Sequence, residues 1–423
     1  MKVYKFGGAS VNSADAVRNM ADIVRKHMES EPLVVVVSAM GKTTNLLERL
    51  VPGASAKGES EALREQLEKY HRDIANNLIP NNEAVQQVIS RWLASMDHTI
   101  ERLQGSADRY NYNYDQVVCH GELLSTSIIS HYLNHMGIRT KWVDAREIVS
   151  TDNHFREGKV NWEKTQCNVD ALVADFMDFD VILTQGFIGG TADGSTTTLG
   201  REGSDYSASI LAYCLNAENI TIWKDVPGFL NADPKYFKDT VKIQQIPYNE
   251  AIELAYYGAS VIHPKTVKPI QNKGITLFIR SFITSDCEGS SIGDYRTILP
   301  ETPLYIFKNN QILISIFPKD FSFIAEDNLQ IIFGILSELG IRVNMMQNSA
   351  LSFSICIDNN AQLTSMLVDR LQRSFHVRYN ENLQLVTIRY YNQAVIDSIV
   401  AGRPILLEQR SRSTEQLIVP TKG

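Results

Sequence analysis

The sequence predicts an α/β protein: a helix-flanked, largely parallel sheet followed by smaller modules of mixed helix and strand. Three observations carry this. Short apolar runs alternate with helical patterns through the first two-thirds of the chain, as in a parallel sheet covered on both faces. Four of those runs end in a glycine-rich or polar turn. From about Glu301 the order changes to strand, helix, strand, strand, helix, strand, which is the ferredoxin-like plan.

The predicted strands of the first part are Lys2–Phe6, Leu33–Ser38, Thr140–Val143, Val181–Gln185, Ile220–Lys224 and Thr276–Arg280. Ser13 is placed to cap a helix whose stripe is Val17, Met20, Ala21, Val24 and Met28. A second apolar helix covers Asp115–Met136 and stops at Gly137. Residues from about Lys57 to Gly105 are charged and helix-favouring, a helical excursion over the substrate side. In the last part, Gln311–Phe317 reads as a strand and Ala325–Leu339 as a helix. Strands Ile341–Met346 and Leu351–Ile357, a helix at Ala361–Phe375 and a strand at His376–Tyr379 follow. A shorter set then repeats part of the pattern: a strand at Leu383–Tyr391, a weak helix near Ala394–Ala401, and strands at Pro404–Glu408 and Glu415–Val419.

Composition bounds the function. A chain of 423 residues predicts two to four domains, and 44% apolar with 21% charged residues excludes collagen-like and disordered classes. With 41 basic against 48 acidic side chains the net charge is −7, which gives no case for binding nucleic acid or an anionic membrane. The five cysteines are widely spaced with no Cys-x-x-Cys, which fits a reducing compartment rather than a disulfide framework. Met1–Phe6 reads as a strand rather than a signal core, and no apolar run is long enough for a membrane span. A cytoplasmic protein is expected.

The four turns are Lys5-Phe6-Gly7-Gly8, Ser38-Ala39-Met40-Gly41-Lys42, Gln185-Gly186-Phe187-Ile188-Gly189-Gly190 and Lys224-Asp225-Val226-Pro227-Gly228. Ligands of open α/β sheets sit outside the carboxyl ends of the strands, so these turns predict one extended cleft. Gly7 and Gly8 let backbone N–H groups approach phosphate oxygens, and Lys5 can neutralise charge on a transferring group. Neither the P-loop nor the dinucleotide fingerprint is present. The run Thr196-Thr197-Thr198-Leu199-Gly200-Arg201-Glu202-Gly203-Ser204-Asp205 leads into a helix at Tyr206–Leu215, placing free N–H groups at the loop. Arg201 can grip a carboxylate or phosphate bidentately, while Ser204 and Asp205 could also be plain caps. Glu122, within an apolar helix, can hold an ammonium group or simply face solvent. Asp233-Pro234-Lys235 could wrap a nucleotide or form a turn. His263 has no second histidine at metal spacing and reads as structural.

These motifs, in this order and joined by Val37-Ser38-Ala39 with Thr44-Asn45-Leu46-Leu47 and by Gly258-Ala259…His263-Pro264, resemble the aspartokinases of the amino acid kinase superfamily. The resemblance spans Lys2 to Pro269 and continues more weakly into the C-terminal part, where that family carries paired ACT domains. It implies a kinase catalytic domain at 1–300 and a regulatory region at 301–423, with one full ACT unit at about 311–380 and a reduced second at about 381–423. It also implies transfer of the γ-phosphoryl of ATP, with Mg2+ on the phosphates, to the β-carboxylate of L-aspartate. That reaction is the first step of lysine, threonine and methionine biosynthesis.

By the same resemblance Lys5 and Asp205 would be catalytic, and Thr44, Glu122, Arg201 and Ser204 would bind the substrate. Gly7, Gly8, Ser38, Asp225 and Lys235 would contact the nucleotide, and no residue is assigned as a metal ligand. Asn344 and Gln347, in the stretch Gly340–Ser349, would bind an amino acid effector, lysine or threonine, in a homodimer or larger homo-oligomer. The alternatives are a kinase for another amino acid, such as glutamate or acetylglutamate, and a non-catalytic effector-binding homologue. The chain departs from the family's pattern at Ala9, Glu202, Leu230, Lys235 and Ser260.

Overall fold

The computed structural model describes residues 1–29, 31–52, 60–105, 107–259, 261–320 and 322–421. Ser260 and Lys57 lie outside the described residues. Two compact units are present. One comprises Met1–Phe229, Lys242–Ala255 and Ser260–Pro300, and the other Leu230–Val241, Tyr256–Ala259 and Glu301–Gly423.

The first unit is built on an eight-stranded sheet. Its order is Gln245–Pro247, Ser290–Gly293, Thr276–Ser281, Asn219–Lys224, Lys2–Phe6, Leu33–Val37, Val181–Gln185, Thr140–Val143. All neighbours run parallel except Thr276–Ser281 and Ser290–Gly293. Leu33–Val37 is buried at every position, which is why its sequence is a run of branched apolar residues. Lys2–Phe6 lies centrally, and Phe6 is level with Val37 on one side and Trp223 on the other. The carboxyl ends of three strands therefore open at one place.

Helices cover this sheet. Ser13 Oγ accepts the Ala16 N–H at 3.2 Å to cap Ala14–His27. The Tyr110–His135 helix is buried along most of its length, so its periodicity is weak, and the chain leaves it through Gly137 at φ 78°. The excursion forms two helices, Ser60–Leu78 and Glu83–Leu103, whose Leu67, Ile89, Leu93 and Met96 join the same core as Val35 and Val37.

One local expectation is corrected. The stretch Gln185–Gly190 is not a single polar turn. Gly186 and Phe187, the latter at φ 72°, link Val181–Gln185 to a second strand, Ile188–Thr191. That strand pairs with Ser150–Thr151 and Thr196–Thr198 in a small three-stranded sheet. Gly189 and Gly190 sit inside it because a Cβ would collide with the carbonyl oxygens of Val149 and Arg146. Their missing side chains serve backbone packing rather than a ligand.

The second unit is a six-stranded antiparallel sheet. Its order is Val343–Asn348, Phe353–Asp358, Leu304–Pro318, Phe375–Arg389, Thr414–Pro420, Leu407–Arg410. Helices Glu326–Glu338 and Ala361–Gln372 pack Ile332, Leu336, Leu367 and Leu371 against Ile312, Ile314, Ile355 and Ile357. The sequence hides one strand. Leu304–Lys308 continues into the strand predicted from Gln311, across a register shift, and pairs with Leu385–Arg389. The complete βαββαβ module is thus inserted into the smaller one, which draws one strand from before it and three from after it. The segment Leu230–Val241 also belongs here: Tyr236 stacks on Phe307 at 4.6 Å, Phe237 on Tyr305 at 4.8 Å, and Tyr305 N donates to Asn231 O at 2.7 Å.

Candidate active site

A buried carboxylate held by two lysines lies at the carboxyl edge of the parallel sheet. Lys5 Nζ is 2.5 Å from Asp205 Oδ1, and Lys224 Nζ is 3.1 Å from Asp205 Oδ2. Lys5 is the penultimate residue of its strand and Lys224 the last of the neighbouring one, so the parallel register brings both ammonium groups to one edge. Asp205 stands in the first turn of the Gly203–Cys214 helix and is 2% exposed. Burial alone would raise its pKa, but Lys5 and then Lys224 outweigh it and hold the carboxyl down at about 2. The N-cap of this helix is Glu202, at φ 55° and without a side-chain cap bond; Ser204 and Asp205 lie inside the helix and are not its caps.

The surrounding cleft has a volume of about 750 Å³. Of the expected residues, Lys5, Gly8, Ser38, Thr44, Glu122, Arg201, Ser204 and Asp205 line it together. Gly7 borders it, since a Cβ there would lie 3.4 Å from Lys5 Nζ. Gly8 has a second duty: a Cβ would stand 2.8 Å from the carbonyl oxygens of both Ala39 and Gly41. Asp225 is solvent-exposed and does not line the cleft, so among the expected nucleotide contacts it is not brought to the others. Lys235 belongs to the second unit, exposed in a turn where its N–H donates to Asp233 Oδ1 at 2.9 Å.

Glu122 is buried to 2% exposure on the long helix. Its Oε1 accepts the Ala39 N–H at 3.3 Å, and its Oε2 has no hydrogen-bond partner among the described residues. Burial pushes its pKa up to about 8. The preceding Gly121 allows this approach, because a Cβ would meet Leu47 Cδ1 at 3.0 Å and Ala39 Cβ at 3.1 Å. A buried carboxylate oxygen without a donor, at the wall of a polar cleft, suits an ammonium ligand.

Arg156, Glu157 and Tyr114 also line the cleft and carry no motif in the sequence, while Lys224 and Thr198 lie within motifs that assign them no role. Arg156 is set by Asp115, whose carboxylate accepts the Arg156 N–H at 2.8 Å and the Thr198 N–H and Oγ–H at 3.0 and 2.7 Å. Burial raises Asp115 to about 6 despite these donors. The Arg156 guanidinium lies 4.2 Å from the centre of the Tyr114 ring. Two guanidinium groups, Arg156 and Arg201, therefore face one cleft with two ammonium groups.

The expected effector residues lie in the second unit. Asn344 is bonded inside its own unit: its Oδ1 accepts from Lys308 Nζ at 2.9 Å, and its Nδ2 donates to Gln311 Oε1 at 2.8 Å and Asp358 Oδ1 at 2.9 Å. Gln347 is exposed on the edge strand Val343–Asn348. His263 caps Pro264–Gln271, with Nδ1 accepting the Lys265 N–H at 3.2 Å, as a structural residue should.

A parallel sheet with paired lysines, a buried carboxylate and guanidinium groups at one edge makes a cleft suited to small anionic ligands. The model described as the amino acid kinase family matches residues 1–281. Over 398 residues the chain is 30% identical to lysine-sensitive aspartokinase 3 of Escherichia coli (strain K12), covering 91% of this chain and 86% of that protein. It is 32% identical over 371 residues to aspartokinase 1, chloroplastic, of Arabidopsis thaliana, covering 84% of this chain and 63% of that one. The crystal structure of E. coli aspartokinase III in complex with aspartate and ADP superposes with a TM-score of 0.83 at 28% identity, covering 99% of this chain and 96% of that chain. The aspartate kinase of Clostridium acetobutylicum shares the fold at 21% identity, with a TM-score of 0.78 over 99% of this chain and 96% of that chain. The chain belongs to the amino acid kinase family and, within it, to the aspartokinases.

Proposed function

We propose that this protein is an ATP-dependent aspartate kinase that converts L-aspartate to 4-phospho-L-aspartate, a step toward lysine, threonine and methionine. The observation that carries this is one cleft holding both the Lys5–Asp205–Lys224 cluster and the unpartnered carboxylate oxygen of Glu122. Glu122 would take the α-ammonium of aspartate and Arg201 its α-carboxylate, with Thr44 and Ser204 completing the pocket. The β-carboxylate is already a nucleophile and needs no base. One of its oxygens forms the bond to the γ-phosphorus while the bond to the bridging oxygen breaks, and that electron pair leaves with ADP. Lys5 neutralises charge on the moving group, and Asp205 holds Lys5 in place. Gly7, Gly8 and Ser38 would offer contacts to the nucleotide, with Asp225 and Lys235 as further candidates outside the cleft wall.

Among the described residues no group of three His, Cys, Asp or Glu side chains could hold a metal ion. A Mg2+ ion bound with the nucleotide phosphates would supply further charge neutralisation.

The proposal includes a catalytic region at 1–300 and a regulatory region at 301–423, the latter binding lysine or threonine through Asn344 and Gln347 in a homodimer or larger homo-oligomer. The E. coli relative's description as lysine-sensitive supports an amino acid effector. A cytoplasmic setting is supported by five cysteines that are all free thiols. No described helix is long and apolar enough to cross a membrane. The test is ADP release with hydroxamate trapping of the acyl phosphate over aspartate, glutamate and acetylglutamate. Turnover with aspartate alone is expected; turnover with another acceptor, or none, overturns the assignment.

A further inference from the structure

Lys224 occupies a position that simple anchoring does not explain. Its Nζ contacts Asp205 Oδ2 at 3.1 Å, approaches Glu202 Oε2 at 3.5 Å and donates to Val261 O at 2.6 Å, while its side chain still reaches the cleft wall. Glu202 itself is held in the left-handed region at φ 55°, an unfavourable conformation for a residue with a Cβ. The local charges cancel: Lys5 and Lys224 stand against Asp205 and Glu202. A cleft that must accept a polyphosphate gains little attraction from a neutral cluster, unless one of the four groups yields. Asp205 cannot yield, because it is shared by both lysines and is fully enclosed. Glu202 can, since it touches only Lys224 among the two and its side chain is 23% exposed.

We propose that Lys224 is a second phosphate-directed cation of this cleft, and that Glu202 is a positioning residue that occupies Lys224 until a nucleoside triphosphate displaces its carboxylate. The inference rests on the kinase reading above and adds a contact to the nucleotide side of the same site. In the loaded cleft Lys5 and Lys224 flank the transferring and leaving oxygens from two adjacent strands, with Asp205 fixing their separation. Burial holds the Glu202 carboxyl above its ordinary range although Lys224 pulls it down, which is consistent with a carboxylate that gives up its cation readily.

The test uses the full chain with ATP, ADP and aspartate, and four variants: Lys224→Met, Lys224→Arg, Glu202→Gln and the double variant Glu202→Gln with Lys224→Met. Lys224→Met should lose about 100-fold in kcat/KM for ATP, the scale for removing one transition-state donor. It should leave KM for aspartate within about twofold, and Lys224→Arg should recover part of the loss. Glu202→Gln should tighten ADP binding measured by calorimetry. The decisive arm is the double variant. If Lys224 only balances Glu202, removing both restores kcat/KM and overturns the proposal; if Lys224 meets phosphate, the double variant stays slow. Unchanged ATP kinetics in Lys224→Met would also overturn it while leaving the aspartate kinase reading standing. A wild-type chain that binds ADP through Lys224 but does not turn over aspartate would support the contact and overturn that reading instead.

Discussion

Gly186 lies directly against Ser204: a Cβ built on Gly186 would stand 2.5 Å from Ser204 Cβ and 2.8 Å from its Cα. The end of one strand and the first turn of the Gly203–Cys214 helix are thus packed backbone to backbone, and Asp205 follows one residue later. Gly186→Ala must push that turn away and with it the carboxylate that Lys5 and Lys224 share. We expect kcat to fall at least tenfold, with a melting temperature only a few degrees lower. Wild-type kcat in a folded Gly186→Ala protein would show that the turn has slack.

The Lys5–Asp205 pair predicts unequal costs for its two halves. Lys5→Ala should lower kcat by about 100-fold with modest loss of stability. Asp205→Ala should lower it as much and also destabilise the protein by about 3 kcal/mol, because two largely enclosed ammonium groups then share only the partly exposed Glu202 carboxylate. Turnover assays with thermal melts of both variants check this, and full activity in either removes the pair from the chemistry.

Glu122 gives the site a pH signature. Its ordinary pKa of 4.5 becomes about 8 in the folded protein through burial. The folded state therefore binds the extra proton between those values, and Glu122 lowers stability as pH rises through that window. Unliganded Glu122→Gln should melt higher than wild type at pH 8 and not at pH 4. An ammonium ligand needs the ionised form, so KM for aspartate should fall as pH rises toward 8 in the wild type and stay flat and high in the variant. A pH-independent wild-type KM would exclude the Glu122–ammonium contact.

Two buried histidines set the acid limit. His71 and His120 are both lowered by burial from 6.5 to about 4. The unfolded chain takes up protons there that the folded one refuses, so stability falls as pH drops from about 6.5 to 4. His71→Phe should reduce the fall in melting temperature over that range, with the His120 contribution remaining, measured at matched ionic strength. An unchanged slope would assign acid sensitivity to other groups.

The legibility of this protein varied with how local its signals were. Lys2–Phe6, Thr140–Val143 and Val181–Gln185 have the bounds the apolar runs predict, since each run is closed by a glycine or polar residue. Leu304–Lys308 escaped because Lys308-Asn309-Asn310 reads as a loop, whereas the structure absorbs it in a bulge with Asn310 at φ 51°. Lys5, Glu122, Arg201 and Asp205 stood out through their unusual neighbours. Lys224 did not, because its role depends on register with Lys5 across two strands more than 200 residues apart in sequence. Arg156 is placed by Asp115 catching its backbone N–H, a contact no local pattern encodes.

The inserted module of the second unit has a mechanical consequence. Its chain enters and leaves through Leu304–Pro318 and Phe375–Arg389, which stay paired on both sides of the bulge. A domain on one linker can swivel freely; one carried on a two-stranded ribbon transmits torque into whatever the ribbon extends from. Here the ribbon extends into the strand bearing Tyr305 and Phe307, the two rings on which Phe237 and Tyr236 rest. A twist applied to the inserted module reaches the Leu230–Val241 segment as rotation of an aromatic stack.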